Sequence, residues 1–315
     1  MSTVGSRRRL KNPSGGSGLH QTSLTLYIVI IIYSTMRIGV FNQWGARNSP
    51  PVWQAFSAGA ARLGHSVVDH AMDADIAVIW SLVWAGRMKP NRDVWNHYRS
   101  SGRPVIVLEV GSLRRGHTWK MGMNGLGSQA YWGTELDLRR PSRLGINVTP
   151  WRRPGRDIVI VLQRHDSEQW SHMPDIQTWL SRTVDQLRDH SDRAIRVRQH
   201  PRQSMRVPLG CQIEQPKKLA NTYDDFDLGA SLAQAWAVIN VNSGAGVNAV
   251  LQGVPLFCDA SSLAAPVGNL DWTQIENPQR PDRDSWLVDL CHTEWTTAEI
   301  ATGLPLARLL RAQTI

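Results

Sequence analysis

Apolar residues in this chain follow two periods. Short β-branched runs alternate with stretches in which apolar positions recur every three or four residues, a pattern that predicts strands joined by helices and therefore parallel sheets. Runs at 37–41, 66–68, 75–80 and 104–110 read as strands. Residues 50–63 read as a helix: Pro50 starts it, Val52, Phe56, Ala60 and Leu63 share one face, and Gly64 stops it. A second helix is expected over 92–99, ending before Gly102. The polar, glycine-rich stretch 111–127 is too long for a simple connector and is expected to be a functional or mobile loop.

A second alternating series starts after 151–156, which read as a linker. Strands are expected at 157–162, 195–198, 237–241 and 255–258, and helices at 226–234 and 246–251. Another helix is expected at 175–190, where Ile176, Leu180, Val184 and Leu187 recur at helical spacing. Residues 295–310 read as a C-terminal helix, capped by Thr296 or Thr297 with Glu299 placed for a capping box. The whole pattern predicts an α/β protein of two doubly wound, Rossmann-like domains facing a cleft. The first domain would cover 36–150 and the second 151–290, with a C-terminal helix over 291–315.

Residues 1–35 fall outside this pattern. Arg7, Arg8, Arg9 and Lys11 lie in or beside a Gly/Ser-rich stretch expected to be disordered, and the apolar segment 24–33 follows. That segment is shorter than the ~20 residues a membrane span needs. No small-residue cleavage site marks it as a signal peptide. Met36 opens the first strand directly, so 1–35 read as a leader the fold does not need; a membrane tether through 24–33 is the alternative.

The chain has 315 residues, with 35 Lys and Arg against 26 Asp and Glu, a net charge of +9. A moderately basic body is compatible with a polyanionic partner without identifying one. Cys211, Cys258 and Cys291 form no CxxC pair and no zinc-ligand spacing, which suggests reduced thiols in a cytoplasmic protein and no bound metal. Cys258, in the run 254–258, reads as core. No GxGxxG follows the first strand, and neither GxxxxGK[ST] nor GxSxG occurs, so a nicotinamide dehydrogenase, a P-loop NTPase and an α/β-hydrolase are all poor readings.

The chemistry gathers at strand ends in the second half. The strand at 157–162 runs into Gln163, Arg164, His165, Asp166 and Ser167; that at 195–198 runs into Gln199, His200, Pro201 and Arg202. The strand at 237–241 runs into Asn242, Ser243, Gly244, Ala245 and Gly246, then directly into a helix closed by Gly253, Val254 and Pro255. In α/β sheets ligands sit beyond the carboxyl ends of the strands. Free N–H groups of Gly244, Ala245 and Gly246 at a helix N-terminus would stabilise a phosphate. Arg164, His165, His200 and Arg202 are placed to add positive charge.

These three strand ends, in this order between 157 and 258, resemble the capsular-polysaccharide glycosyltransferases of the Kdo and sialic-acid type. In those enzymes one strand ends in Gln followed by Asp-Ser or similar, a second in His-Pro, and a third in Asn-Ser leading to Gly-x-Pro. The resemblance covers the second domain only. It implies the GT-B fold and a nucleotide-sugar co-substrate contacted by Gln163, Ser167, His200, Ser243 and Gly244; Arg164, Arg202 and Gly246 complete the donor-binding set.

Sugar transfer with inversion needs a base for the acceptor hydroxyl. Glu109, at the end of the strand 104–110, is the first candidate, with Asp166 and Asp69 behind it. Phage DNA glucosyltransferases place a carboxylate in a similar position, a similarity of place and not of motif. Arg114, Arg115, Trp119, Lys120 and Asn124 in the expected loop, together with Trp44, suit a polyanionic acceptor, because cations bind phosphates and aromatic rings stack on bases or sugars. The favoured acceptor is accordingly a hydroxymethylated pyrimidine in phage-type DNA, flipped from its duplex. The alternatives are a surface polysaccharide or its lipid-linked precursor, and a non-catalytic nucleotide-sugar or nucleic-acid binding protein. No obligate protein partner is evident. A chain begun at Met36 is expected to fold and remain soluble, which expression followed by thermal unfolding checks.

Overall fold

The computed structural model describes residues 35–222 and 224–311. The apolar segment 24–33 and the basic stretch before it lie outside them. The first half comprises β1 (Arg37–Val40), α1 (Pro50–Arg62), β2 (Ser66–Asp69), β3 (Ile76–Trp80), α2 (Asn91–Ser100), β4 (Val105–Val110), β5 (Trp119–Met123) and α3 (Arg140–Leu144). The second comprises β6 (Asp157–Val161), α4 (Ile176–Arg188), β7 (Ile195–Arg198), β8 (Gln212–Glu214), α5 (Leu228–Leu232), β9 (Ala235–Ile239), α6 (Gly244–Leu251), β10 (Leu256–Phe257) and α7 (Asp284–Cys291). The chain then returns to the first half through β11 (Glu294–Trp295), α8 (Thr297–Ala301) and α9 (Leu304–Leu310).

Two sheets result, and the fold is α/β with two doubly wound layers facing a cleft. The first has the order β2-β1-β3-β4-β5-β11, with β1 to β4 parallel, β5 antiparallel to β4, and β11 antiparallel to β5. The second has the order β8-β7-β6-β9-β10 and is parallel throughout. Its central strands are apolar on both faces because both faces are covered. Val159, Val161 and Val238 pack toward α6 and α7, while Ile158, Ile160 and Ile239 pack toward Leu180, Val184 and Leu187 of α4. Asp175 caps α4 by accepting the N–H groups of Gln177 (2.9 Å) and Thr178 (3.2 Å).

Besides α3, β8, α7 and β11, which the sequence pattern did not show, three features depart from it. The expected loop 111–127 contains β5, a fully buried strand. Its Met, Gly and Lys residues carry no β-branched signal, and the strand is fixed by pairing on both sides, with β4 and β11. The expected helix 295–310 divides into α8 and α9 at Gly303, whose φ of 84° is left-handed. Thr296 and Glu299 do form the capping box at its start. The third departure is β9, which lies two residues earlier than its apolar run suggested. Asn240 and Asn242 therefore stand beyond the strand's carboxyl end.

The C-terminal segment is integral to the first half. The backbone of α1 approaches α8 so closely at Gly59 that a Cβ there would lie 3.0 Å from Gly303 Cα, against a carbonyl of Ile300. Cys258 and Cys291 are buried, and burial pushes both thiols up to about 12. Among the described residues no helix is long and apolar enough to cross a membrane. Gly59→Val is expected to cost about 1–3 kcal/mol through backbone displacement at the α1–α8 contact, read as a lowered urea midpoint.

Candidate active site

Each sheet reverses its strand order once. In the second the reversal falls between β6 and β9; in the first, between β1 and β3. Such reversals open crevices beyond the carboxyl ends of strands. Here segments following β1, β3, β4, β6, β7 and β9 line one shared cavity of about 920 Å³. Loops from the two halves are stitched together at its edge. Val83 and Ser167 form an antiparallel bridge, Glu168 N–H donates to Leu82 O (2.9 Å), and Trp84 N–H donates to Asp166 O (2.8 Å).

On the second-half wall, Gln163 and Asn242 clasp each other across the β6–β9 crevice. Gln163 Nε2 donates to Asn242 Oδ1 (2.6 Å), and Gln163 Oε1 accepts the Asn242 N–H (3.0 Å). The Gln163 carboxamide is thus a strut between two strand ends. Asn240, fully buried, holds the next turn: its Nδ2 donates to Val161 O (2.8 Å) and its Oδ1 accepts the Ser243 N–H (2.9 Å) and hydroxyl (3.2 Å). The turn delivers Ser243 as the N-cap of α6. The Gly246 N–H, expected to be free, donates to Ser243 O (3.0 Å). Those of Gly244 and Ala245 have no acceptor among the described residues and stand at the helix's positive end. Ser167 is buried and lines the cavity.

His200 lines the same wall, half-buried. Burial first, then the neighbouring Arg164 and Arg202, lower its pKa to about 4, so near pH 7 it is neutral and adds no charge, contrary to the expectation from sequence. Its Nδ1 accepts the Arg202 N–H (3.2 Å), which leaves the proton on Nε2 as a donor. Arg164 is paired with Asp166, whose carboxyl that guanidinium holds below the usual range. Asp166 stands outside the cavity lining, and so does the half-buried His165. Arg202 pairs with Asp224 at 2.7 Å.

On the opposite wall, Glu109 ends β4 half-buried, with Oε1 accepting the Val110 N–H (2.7 Å). Its cross-strand neighbour on β5 is Lys120, 8 % exposed, and both line the cavity. The loop after β4 is shaped by Glu294 of β11, which is fully buried. That carboxylate accepts the Ser112 N–H (2.6 Å) and hydroxyl (2.8 Å), the Leu113 N–H (3.0 Å) and the Thr118 hydroxyl (2.7 Å). So held, Ser112 reaches the α6 N-terminus, where a Cβ on Gly244 would lie 2.7 Å from Ser112 Cβ.

The residues expected to hold an acceptor do not form one exposed loop. Trp119 is a buried β5 residue beside Trp80. Asn124 closes the β5 turn in a left-handed conformation (φ 60°) and accepts the Val105 N–H (2.9 Å). Trp44 stacks on Phe41 at 5.8 Å, away from the cavity lining. Asp69, on β2, is exposed and accepts from Asn42 (3.2 Å). Arg114 is exposed and outside the lining, whereas Arg115 lines the cavity and pairs with Asp224 at 2.8 Å. Asn240, Glu294 and Asp224 are the residues that sequence reasoning missed. Only Asn240 left a local signal, a polar side chain at the end of an apolar run, which is costly unless it is hydrogen-bonded.

Cations predominate around the cavity. Arg47, Arg87, Arg115, Lys120, Arg164, Arg198 and Arg202 face it with only Glu109, Asp224 and Asp225 as carboxylates. Among the described residues no group of three His, Cys, Asp or Glu side chains stands where a metal ion would be held.

No family model matches this chain, and no curated protein does. Two solved Thermosulfurimonas dismutans KpsC structures are similar to it. The beta Kdo 2,4 transferase is 16% identical, with a TM-score of 0.48 over 83% of this chain and 91% of that one. The beta Kdo 2,7 transferase is 13% identical, with a TM-score of 0.47 over 86% and 99%. A co-structure of S. aureus MnaA with UDP is 7% identical, with a TM-score of 0.33 over 89% and 97%.

The depressed His200 pKa has a consequence for stability. The unfolded chain takes up a proton near pH 6.5 and the folded one only near 4, so the His200 contribution is complete above 6.5 and is lost as pH falls toward 4. At pH 5 the loss amounts to about 2 kcal/mol. Urea unfolding of the wild type and of His200→Gln at pH 7 and pH 5 is expected to show that difference between the two proteins.

Proposed function

We propose that this chain is a glycosyltransferase that moves a sugar from a nucleotide-sugar to a hydroxyl of a glycan or its lipid-linked precursor. The observation that carries the reading is the β6–β9 crevice. Together with neutral His200 beyond β7, it presents the Ser243 hydroxyl and the N–H groups of Gly244 and Ala245, unpaired among the described residues, to a cavity whose other wall carries Glu109. Backbone donors at a helix N-terminus suit a phosphate ester, and a carboxylate across the cavity suits a hydroxyl that must lose its proton.

In the proposed reaction Glu109 takes the proton of the acceptor hydroxyl. The oxygen attacks the anomeric carbon, the bond from that carbon to the donor phosphate oxygen breaks, and the electron pair leaves on the phosphate. Charge developing there faces the α6 N-terminus, His200 Nε2–H and the arginines of the second-half wall. The strand-end motifs around Gln163, His200 and Ser243 support the glycan acceptor through their resemblance to capsular-polysaccharide transferases. The exposed cation-and-tryptophan loop that favoured DNA is absent among the described residues, since Trp119 and Lys120 belong to buried β5.

The test is a donor screen of the full chain with UDP-, GDP-, CMP- and dTDP-sugars, read by mass spectrometry with glycan acceptors and with hydroxymethylated duplex DNA. A glycan product supports the proposal, a product on the DNA base overturns the acceptor, and donor binding without any turnover favours a binding protein. Glu109→Gln is expected to lower kcat by about 10²–10⁴-fold while donor affinity stays within about twofold, the split expected of a general base.

A further inference from the structure

Asp224 joins the two walls of the cavity. Its Oδ1 takes Arg202 from the second half at 2.7 Å, and its Oδ2 takes Arg115 from the first at 2.8 Å. Arg115 Nε also donates to the Asp224 carbonyl oxygen, which seats that arginine at the cavity wall. All three residues line the cavity, and the Asp224 side chain is only 14% exposed. Two guanidiniums converging from opposite walls on one small anion make an anion site with an internal occupant.

Two further observations show that the surroundings call for more negative charge. Ser112, three residues before Arg115, lies against Gly244, so the loop bearing Arg115 borders the free N–H groups of the α6 N-terminus. Lys120, 8 % exposed, faces the same cavity with no ion pair or side-chain hydrogen bond among the described residues. Its stem is buried while its ammonium opens on the cavity without a partner among the described residues, adding positive charge where an anion would sit.

We propose that Asp224 is the internal stand-in for the phosphate of the nucleotide ligand, and that Arg115, although it belongs to the first half, is a donor-binding residue. The assignment rests on the nucleotide-sugar reading above and gives it a definite partner: a phosphate group held from both walls at once. When the ligand enters, its phosphate takes over the terminal nitrogens of Arg115 and Arg202 that Asp224 now occupies. Donor binding thereby fixes the spacing between the phosphate site and Glu109, because Arg115 lies in the loop that follows the β4 end carrying Glu109.

The test is calorimetric titration of the full chain with CMP, UDP, GDP and inorganic pyrophosphate, for the wild type, Arg115→Gln and Asp224→Asn. Arg115→Gln is expected to weaken the tightest of these ligands by about tenfold or more, a typical loss for one charged hydrogen-bond partner. Asp224→Asn removes the competing charge and is expected to tighten the same ligand severalfold. Thermal unfolding of each variant checks its fold; should Asp224→Asn fail to fold, the exposed Arg115 decides the matter alone. Unchanged affinity in Arg115→Gln, or weakened affinity in folded Asp224→Asn, overturns the assignment while nucleotide binding by the wild type leaves the broader reading standing. A wild type that binds none of the four ligands overturns both.

Discussion

The candidate site depends on one buried carboxylate. Glu294 is fully buried, and a carboxylate there is tolerable only if its oxygens are hydrogen-bonded. It satisfies them by accepting from Ser112, Leu113 and Thr118, nearly two hundred residues earlier in the chain, and so fixes the loop that follows β4. Arg140 secures the same strand from behind. Its guanidinium lies 3.8 Å from the Trp295 ring centroid, donates to the Glu294 carbonyl (2.6 Å), and pairs with Glu299 of the capping box. The return of the C-terminus to the first sheet therefore shapes the cavity wall as well as closing the fold. Without β11 the loop that brings Ser112 to the α6 N-terminus would lose its anchor.

The polar groups around the cavity divide into those already satisfied and those that are not. Gln163, Asn240 and Asn242 spend their carboxamides on one another and on the backbone, which holds the ends of β6 and β9 in register and leaves the crevice between them rigid. Arg164 is neutralised by Asp166. The N–H groups of Gly244 and Ala245 and the ammonium of Lys120 remain without partners among the described residues. His200 stays neutral because burial and two arginines oppose its protonation, so it is a donor through Nε2 and adds no charge of its own. At the α6 N-terminus such a wall is preorganised, because the Gly244 and Ala245 N–H groups need not leave an existing hydrogen bond to meet an anion, whereas Arg115 and Arg202 must first be released by Asp224.

Much of the architecture was legible in the sequence. The buried parallel strands β3, β4 and β6 read directly because a strand covered on both faces is almost continuously apolar. Helices α1 and α4 read from apolar periodicity and from their first and last residues. The strand ends Gln163, His200 and Ser243 were located by the same logic, and all three line the cavity. β5 was not legible. It contains Lys120 and Gly122, has no β-branched residue, and is a strand only because β4 and β11 flank it. Nor could local pattern reveal Glu294 or Asp224, whose partners lie far away in the sequence. A carboxylate's role is set by what the fold brings to it, and an isolated Glu or Asp carries no trace of that.

The two strand-order reversals make this a cleft with two unlike walls. Each sheet alone would offer a shallow crevice at its own reversal, as any doubly wound sheet does. Here the bridge between Val83 and Ser167 ties the loop after β3 to the loop after β6, so both crevices open into one space. The second-half wall offers backbone donors and a helix N-terminus, while the first-half wall offers Glu109 beside Lys120. In the proposed transfer a leaving phosphate and a hydroxyl that must be deprotonated make opposite electrostatic demands, and a single wall would meet one only by compromising the other. Placing the two sets of groups on separate sheets lets each be held rigidly, while contacts that cross the gap set the distance between them: Ser112 on Gly244, and Arg115 on Asp224.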